Sequence, residues 1–203
     1  MILQVDNIGK SFGTHRVLQG VSFTVDAGEV VGLLGSNGAG KTTLLRIVTR
    51  LLQPDSGRIL FCGHPMAQDD MASIGYLPEE RGLYPRMKAM EQARYFARLK
   101  GMDSRQADLS LRQWFTRMGM EGWENRPTGR LSKGMQQKLQ FVVTVAHNPK
   151  LLILDEPFSG FDADNSDLLK HEIDTLRRQG TAILFSTHNL QAAAELCHKT
   201  VKL

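Results

Sequence analysis

Cysteine is scarce in this chain: two in 203 residues, Cys62 and Cys197, with no pairing or ligand-like spacing between them. That excludes a disulfide scaffold and a thiolate metal cluster, and both are expected to be buried small hydrophobes in a reducing compartment. Long apolar runs are missing as well. The longest, residues 30–34 and 151–154, fall far short of the ~18 residues that a membrane-spanning helix needs. Residues 1–9 contain Asp6 and no apolar core, so they do not read as a secretory leader. The expected location is therefore the cytosol, and service to a membrane would require docking to helices of another chain. There is no low-complexity tract, no internal repeat and no excess of one charge: 25 Lys+Arg stand against 21 Asp+Glu. The net charge of +4 is scattered, which argues against the basic stripe of a nucleic-acid binder but suits a nucleotide or an anionic membrane surface. At this length, with 41% hydrophobic residues, the chain has enough material for one well-packed domain, with or without an insertion.

What is present centres on residues 30–43, VVGLLGSNGAGKTT. Val30, Val31, Leu33 and Leu34 form a short apolar run between glycines, the mark of a buried strand. Gly35, Gly40, Lys41 and Thr42 then match G-x-x-x-x-G-K-[ST], the P-loop or Walker A pattern. Within Gly35, Ser36, Asn37, Gly38, Ala39 and Gly40, the glycines let backbone N–H groups curl toward phosphate oxygens where a Cβ would intrude. A helix starting near Gly40 aims its positive end at the same anion. Lys41 is placed to reach β- and γ-phosphates, with Thr43 beside it, and the Thr42 hydroxyl to ligate Mg²⁺. Residues 43–52 supply the helix, with Leu44, Leu45 and Val48 inward.

Residues 2–8 and 17–25 read as strands flanking a loop, 9–16, that carries Phe12; the second has the alternation of a half-buried antiparallel edge. Residues 54–57, Pro-Asp-Ser-Gly, read as a turn, followed by short strands at 58–62 and 73–77. From 84 to 130 helical periodicity takes over. Met90, Ala93 and Ala97, then Leu111, Trp114, Phe115 and Met118, fall on helical faces and are expected to form the core of an inserted helical subdomain. Strand–helix alternation resumes with helices at 133–146, 166–178 and 189–197 and strands at 151–154 and 181–186. Leu169, Ile173 and Leu176 should face inward, as should Leu190, Ala193, Ala194 and Cys197. Such alternation implies a mostly parallel sheet with right-handed crossovers.

The run 151–156, LLILDE, ends a buried strand in two carboxylates. That is where an α/β sheet places its site, with Asp155 on Mg²⁺ through water and Glu156 polarising the attacking water. Residues 131–136, LSKGMQ, then make the resemblance specific: the chain resembles the nucleotide-binding domain of an ABC-type ATPase, whose signature is Leu-Ser-Gly-Gly-Gln. Ser132 is a good helix N-cap, and Gly134 leaves the first-turn N–H groups uncovered. The resemblance implies a P-loop NTPase core with an antiparallel N-terminal β subdomain. The core would be discontinuous, 1–84 and 131–203, around a helical subdomain at 85–130. It implies that Ser132 and Gly134 contact a γ-phosphate held by a second nucleotide-binding domain, identical or a sister subunit, so that two ATPs are sandwiched head to tail.

Other matches follow the family's order. Phe12 resembles the aromatic that stacks on adenine, a core role being the alternative. Gly160-Phe161-Asp162 resembles the loop that crosses the dimer interface, and His188 the switch histidine that senses the γ-phosphate. Glu79 stands where the family has a glutamine; it can reach Mg²⁺ or the attacking water, at the cost of an added charge. Lys133 and Met135 replace glycine and glutamine in the signature. Residues 78–84, PEERGLY, together with LSKGM are similar to bacterial exporters of drugs, antibiotics or sodium. An integral membrane permease would dock near 82–86, from the inner face of the membrane, and no nucleic acid is expected. Family members usually continue past Val201-Lys202-Leu203, which implies a shortened gene product with loss of dimer contacts. Two further readings stand beside the transporter: a soluble ABC ATPase acting on nucleic acid or the ribosome, and a non-catalytic nucleotide-binding module.

Overall fold

The computed structural model describes every residue except Arg81 and Gly160. Chain order begins with β1 (Leu3–Phe12), β2 (His15–Val25), β3 (Val30–Leu34), α1 (Lys41–Val48), β4 (Ser56–Phe61), β5 (His64–Pro65) and β6 (Ile74–Leu77). It continues with α2 (Ala89–Leu99), α3 (Ser104–Arg117), α4 (Lys133–Val145), β7 (Leu151–Asp155), α5 (Ala163–Arg178), β8 (Ala182–Thr187), α6 (Leu190–Leu196) and β9 (Lys199–Lys202).

Two sheets form. One is antiparallel in the order β2-β1-β4-β5; the other is parallel in the order β6-β7-β8-β3-β9. The inner strands β3, β7 and β8 are fully buried and mostly apolar because both faces are covered. In β7, Leu152 and Leu154 join the cluster packed under α4 and α5, while Leu151 and Ile153 join the cluster under α1 and the antiparallel sheet. β8 alternates the same way, Ile183 and Phe185 against Ala182 and Leu184. The period of two along each strand thus welds the two layers into one body.

The helical stretch behaves as its periodicity predicts: Met90, Ala93 and Ala97 of α2 and Leu111, Trp114 and Phe115 of α3 are buried, as is Met118. They do not make a core of their own, however, but share one with α4 and α5. Trp114 meets Phe141 edge to face at 5.8 Å, worth about 1 kcal/mol beyond burial. Arg117 lies 4.1 Å over the same indole and pairs with the buried Glu172 of α5, so its guanidinium satisfies a carboxylate that would otherwise be buried alone.

Several sequence expectations are corrected. Residues 9–16 are not a loop: β1 and β2 extend to a tight hairpin at Gly13-Thr14, Phe12 opposing His15, because the cross-strand pairs continue past Gly9. The helix after the phosphate loop ends at Val48, where the N–H groups of Leu51 and Leu52 both turn back to the Arg46 carbonyl. Ser56 and Gly57 belong to β4 rather than to a turn. Cys62 is exposed, in a left-handed turn (φ 49°) after β4. Cys197 is half-buried, and burial pushes its thiol up to about 11. In α6 the buried residues are Ala192 and Ala193, whereas Leu190 and Ala194 face solvent: the N-cap at Asn189 sets a phase one residue away from the expected one. β9, which adds an edge to the parallel sheet beside β3, was not foreseen; only Val201 in it is apolar.

Candidate nucleotide site

β3 delivers the chain to the loop at Gly35, and α1 leaves it at Lys41. Gly40 makes the turn possible: its φ is 97°, and an added Cβ would sit 2.8 Å from a Val17 methyl and 3.2 Å from the Val17 carbonyl oxygen. No side chain caps α1. Its first-turn N–H groups therefore remain available to an anion. Lys41 is almost fully buried, and its Nζ donates to the carbonyl oxygens of Gly35 (2.8 Å) and Ser36 (3.2 Å). The ammonium is thus folded back into the loop, 3.6 Å from Glu156 Oε1.

The acidic end of β7 is organised by a residue the sequence reading passed over. Ser186 of β8 lies in register with Asp155; its hydroxyl donates to Asp155 Oδ1, while its Oγ (3.1 Å) and its carbonyl oxygen (3.2 Å) both accept from the Glu156 N–H. A serine directly after the buried run AILF was the available signal. Glu156 itself holds φ 48°, a left-handed conformation that costs a non-glycine residue of order 1 kcal/mol and recurs at functional sites. That conformation turns its carboxylate toward Lys41 and toward His188, whose Nδ1 is 3.0 Å from Oε1. An ionised carboxylate only accepts, so Nδ1 is the donor in that pair.

A cleft of about 690 Å³ gathers Phe12, Asn37, Gly38, Gly40, Lys41 and Thr42. Thr43, Glu79, Glu156 and His188 complete its predicted members, and His15, Val17 and Ser159 line it without having been predicted. Phe12 is 51% exposed at its rim with Lys10 Nζ 5.7 Å from the ring, so the alternative of a core phenylalanine is set aside. Gly35, Ser36 and Ala39 form the loop behind the cleft rather than its lining, Gly35 and Ser36 as the acceptors of Lys41. Asp155 is 1% exposed, and its Oδ2 has no hydrogen-bond partner among the described residues. A buried carboxylate oxygen left over in this way fits a hydrated cation. Thr42 and Glu79 line both this cleft and a larger one, about 970 Å³, that Asp155 also reaches. That second cleft runs past Gly82, Leu83, Phe96 and Leu99 toward Lys100. Tyr76 lines it too; burial, reinforced by the Asp155 charge, pushes its phenol up to about 12, so it stays neutral.

Of the predicted residues, Ser132 and Gly134 line neither cleft. Ser132 caps α4, accepting from the Met135 N–H at 3.2 Å, as the sequence predicts. Of the interface loop, Asp162 caps α5 by accepting from the Asn165 N–H, while Gly160 lies outside the described residues, as does Arg81 of the 78–84 segment. Among the described residues no cluster of three acidic, histidine or cysteine side chains forms a metal cage, and none is long and apolar enough as a helix to cross a membrane.

Known proteins resemble this chain in sequence and in fold. Residues 18–159 match the ABC transporter family model. An uncharacterised ABC transporter ATP-binding protein of Bacillus subtilis, YhaQ, is 46% identical over 97% of this chain. The Nod factor export ATP-binding protein I of Burkholderia lata is 35% identical over 95% of it. The chain spans 66% and 64% of the lengths of these two relatives. A solved ATP-binding subunit of an ABC transporter superposes with a TM-score of 0.93 at 31% identity, covering 100% of this chain and 86% of that one. With a P-loop NTPase core, a signature helix and these relatives, the chain belongs to the ABC transporter family of ATP-binding proteins.

Proposed function

We propose that this chain is the Mg²⁺-dependent ATP-hydrolysing subunit of a membrane transporter, working as a head-to-tail pair of nucleotide-binding domains, identical or sister. The observation that carries the reading is the division of the phosphate-contacting groups. The Lys41 cleft holds the loop, Glu156 and His188, whereas the Ser132 end of α4 lies outside it. A site that needs both requires a second copy.

The chemistry follows from the groups in place. The triphosphate enters over the uncapped end of α1, and Lys41 exchanges Gly35 O, Ser36 O and Glu156 for phosphate oxygens. Thr42, Asp155 and Glu79 would hold Mg²⁺, which when bound neutralises charge on the β- and γ-phosphates. Glu156, oriented by the Nδ1–H of His188, takes a proton from water as the water oxygen bonds to the γ-phosphorus. The bond to the bridging oxygen breaks, giving ADP and inorganic phosphate. Phe12 is placed to stack on the base.

Residues 85–130 would act as the helical subdomain, and a permease would dock in the larger cleft near Gly82 and Leu83, from the cytoplasmic face of the membrane. Because Thr42 and Glu79 line both clefts, a partner seated in one touches the loop that completes the other. An exporter is favoured by the relative named for Nod factor export.

Gly134→Asp separates this reading from a single-copy nucleotide binder. An added Cβ meets nothing nearer than Asn165 Nδ2 at 3.7 Å, so the fold should be unchanged. The added carboxylate would face the partner's γ-phosphate. Light scattering after size exclusion should show loss of the ATP-dependent dimer, with turnover reduced by about a hundredfold or more and nucleotide affinity of the monomer within about twofold of the parent. A dimer that survives the substitution would remove α4 from the site.

A further inference from the structure

Between Leu139 and the run Phe141, Val142, all buried without residual exposure, α4 carries a glutamine that is only 6% exposed. Gln140 spends its side chain on one loop. Its Nε2 donates to the carbonyl oxygens of Pro78 (3.1 Å) and Glu80 (3.3 Å), the residues on either side of Glu79. A primary amide has two donor hydrogens, so both are committed to this one segment. A buried amide is tolerated only where such bonds offset its desolvation, and an apolar residue would otherwise fill the position more favourably.

α4 is also seated without play on the strand that leads into that loop. An added Cβ on Gly75 of β6 would lie 2.5 Å from the Thr144 carbonyl oxygen, so helix backbone and strand backbone are in direct contact. Thr144 Oγ1 in turn donates to the Gln140 carbonyl oxygen at 2.8 Å. One turn before this contact the Gln140 side chain reaches the Glu79 loop that follows β6. At the N-terminal end of the same helix, eight residues and about 12 Å before Gln140, stands Ser132.

We propose that Gln140 is a positioning residue that makes α4 a rigid link between two nucleotide sites. The Ser132 end serves the site of the partner copy, and the Gln140 tether sets Glu79, which lines this chain's own Lys41 cleft. Engagement of the helix end by a phosphate in one site is thereby delivered to Glu79 in the other, a coupling between sites carried by one packed element. This rests on the head-to-tail reading above.

Gln140→Met tests it: the length and apolar stem are kept, helix propensity is retained and both donors are lost. Gln140→Leu, apolar and without donors, serves as the second variant if the first folds poorly. In the parent, turnover against ATP concentration should give a Hill coefficient above one, toward two, falling to about one in the variant. Maximal turnover should fall about tenfold, while affinity for a non-hydrolysable ATP analogue stays within about twofold. Hydrogen exchange adds a local readout: the analogue should protect segments 78–84 and 130–136 in the parent but only 130–136 in the variant. A merely structural role would change exchange along α4 and β6 together. Retained cooperativity with protection of 78–84 intact in the variants would overturn the inference. Absence of protection at 130–136 in the parent itself would instead overturn the head-to-tail reading, and the inference with it.

Discussion

Glu156→Gln should lower the rate of phosphate release from ATP by roughly a thousandfold, within the range that a positioned general base contributes. The side chain keeps its volume and its hydrogen bond with His188 Nδ1 is isosteric, so the cleft should retain its shape. What disappears is the acceptor for the water proton. A second consequence follows from Lys41, whose ammonium stands 3.6 Å from the Glu156 carboxylate. Neutralising that carboxylate removes a competitor for the ammonium and a repulsive charge beside the γ-phosphate, so ATP binding should tighten while turnover stops. The arrested protein should then elute as an ATP-bound dimer in size exclusion. Unchanged hydrolysis would take Glu156 out of its role and pass it to Glu79.

Lys41→Ala should act on binding itself. Lys41 is the cation buried behind the loop, with two carbonyl acceptors already in hand. Charge-assisted hydrogen bonds are worth about 1.5–3 kcal/mol each, so losing two to phosphate oxygens should weaken ATP affinity by about a hundredfold or more. Titration calorimetry with the ATP analogue measures this directly. The turn itself should persist, because the Ala39 N–H donates to the Ser36 carbonyl oxygen and the Leu44 N–H to that of Gly40 without the lysine. Affinity unaffected by the change would mean that the triphosphate does not lie where the loop points.

What was legible in the sequence and what was not divide along physical lines. The buried strands β3 and β7 and the helix α4 could be read because their apolar pattern and cap are local, Ser132 serving an N–H three residues on. α5 was read from Leu169, Ile173 and Leu176, but it starts at Ala163 behind the Asp162 cap rather than at 166. The same holds for the phosphate loop, where each residue type answers to one bond or one turn. Residues that act through partners distant in sequence were missed. Ser186 is positioned by register with Asp155 across 31 residues, and Gln140 acts on carbonyls some 60 residues away. Their apolar neighbours mark each as a polar residue in a buried stretch, but do not say which partner it serves. Edge elements were misjudged for a related reason. β9 is held by pairing with β3 rather than by its own composition, and the β1–β2 hairpin continues past a glycine that reads locally as a break.

The central claim is that a triphosphate is gripped from two sides, by the backbone around Lys41 in one copy and the Ser132 end of α4 in another. A crystal structure of the chain with a non-hydrolysable ATP analogue and Mg²⁺ measures it directly. The account predicts analogue phosphates within hydrogen-bonding distance of Lys41 Nζ and of Ser132 from the facing copy. A Lys41 cleft empty at saturating analogue, or filled with no second copy against it, would contradict it.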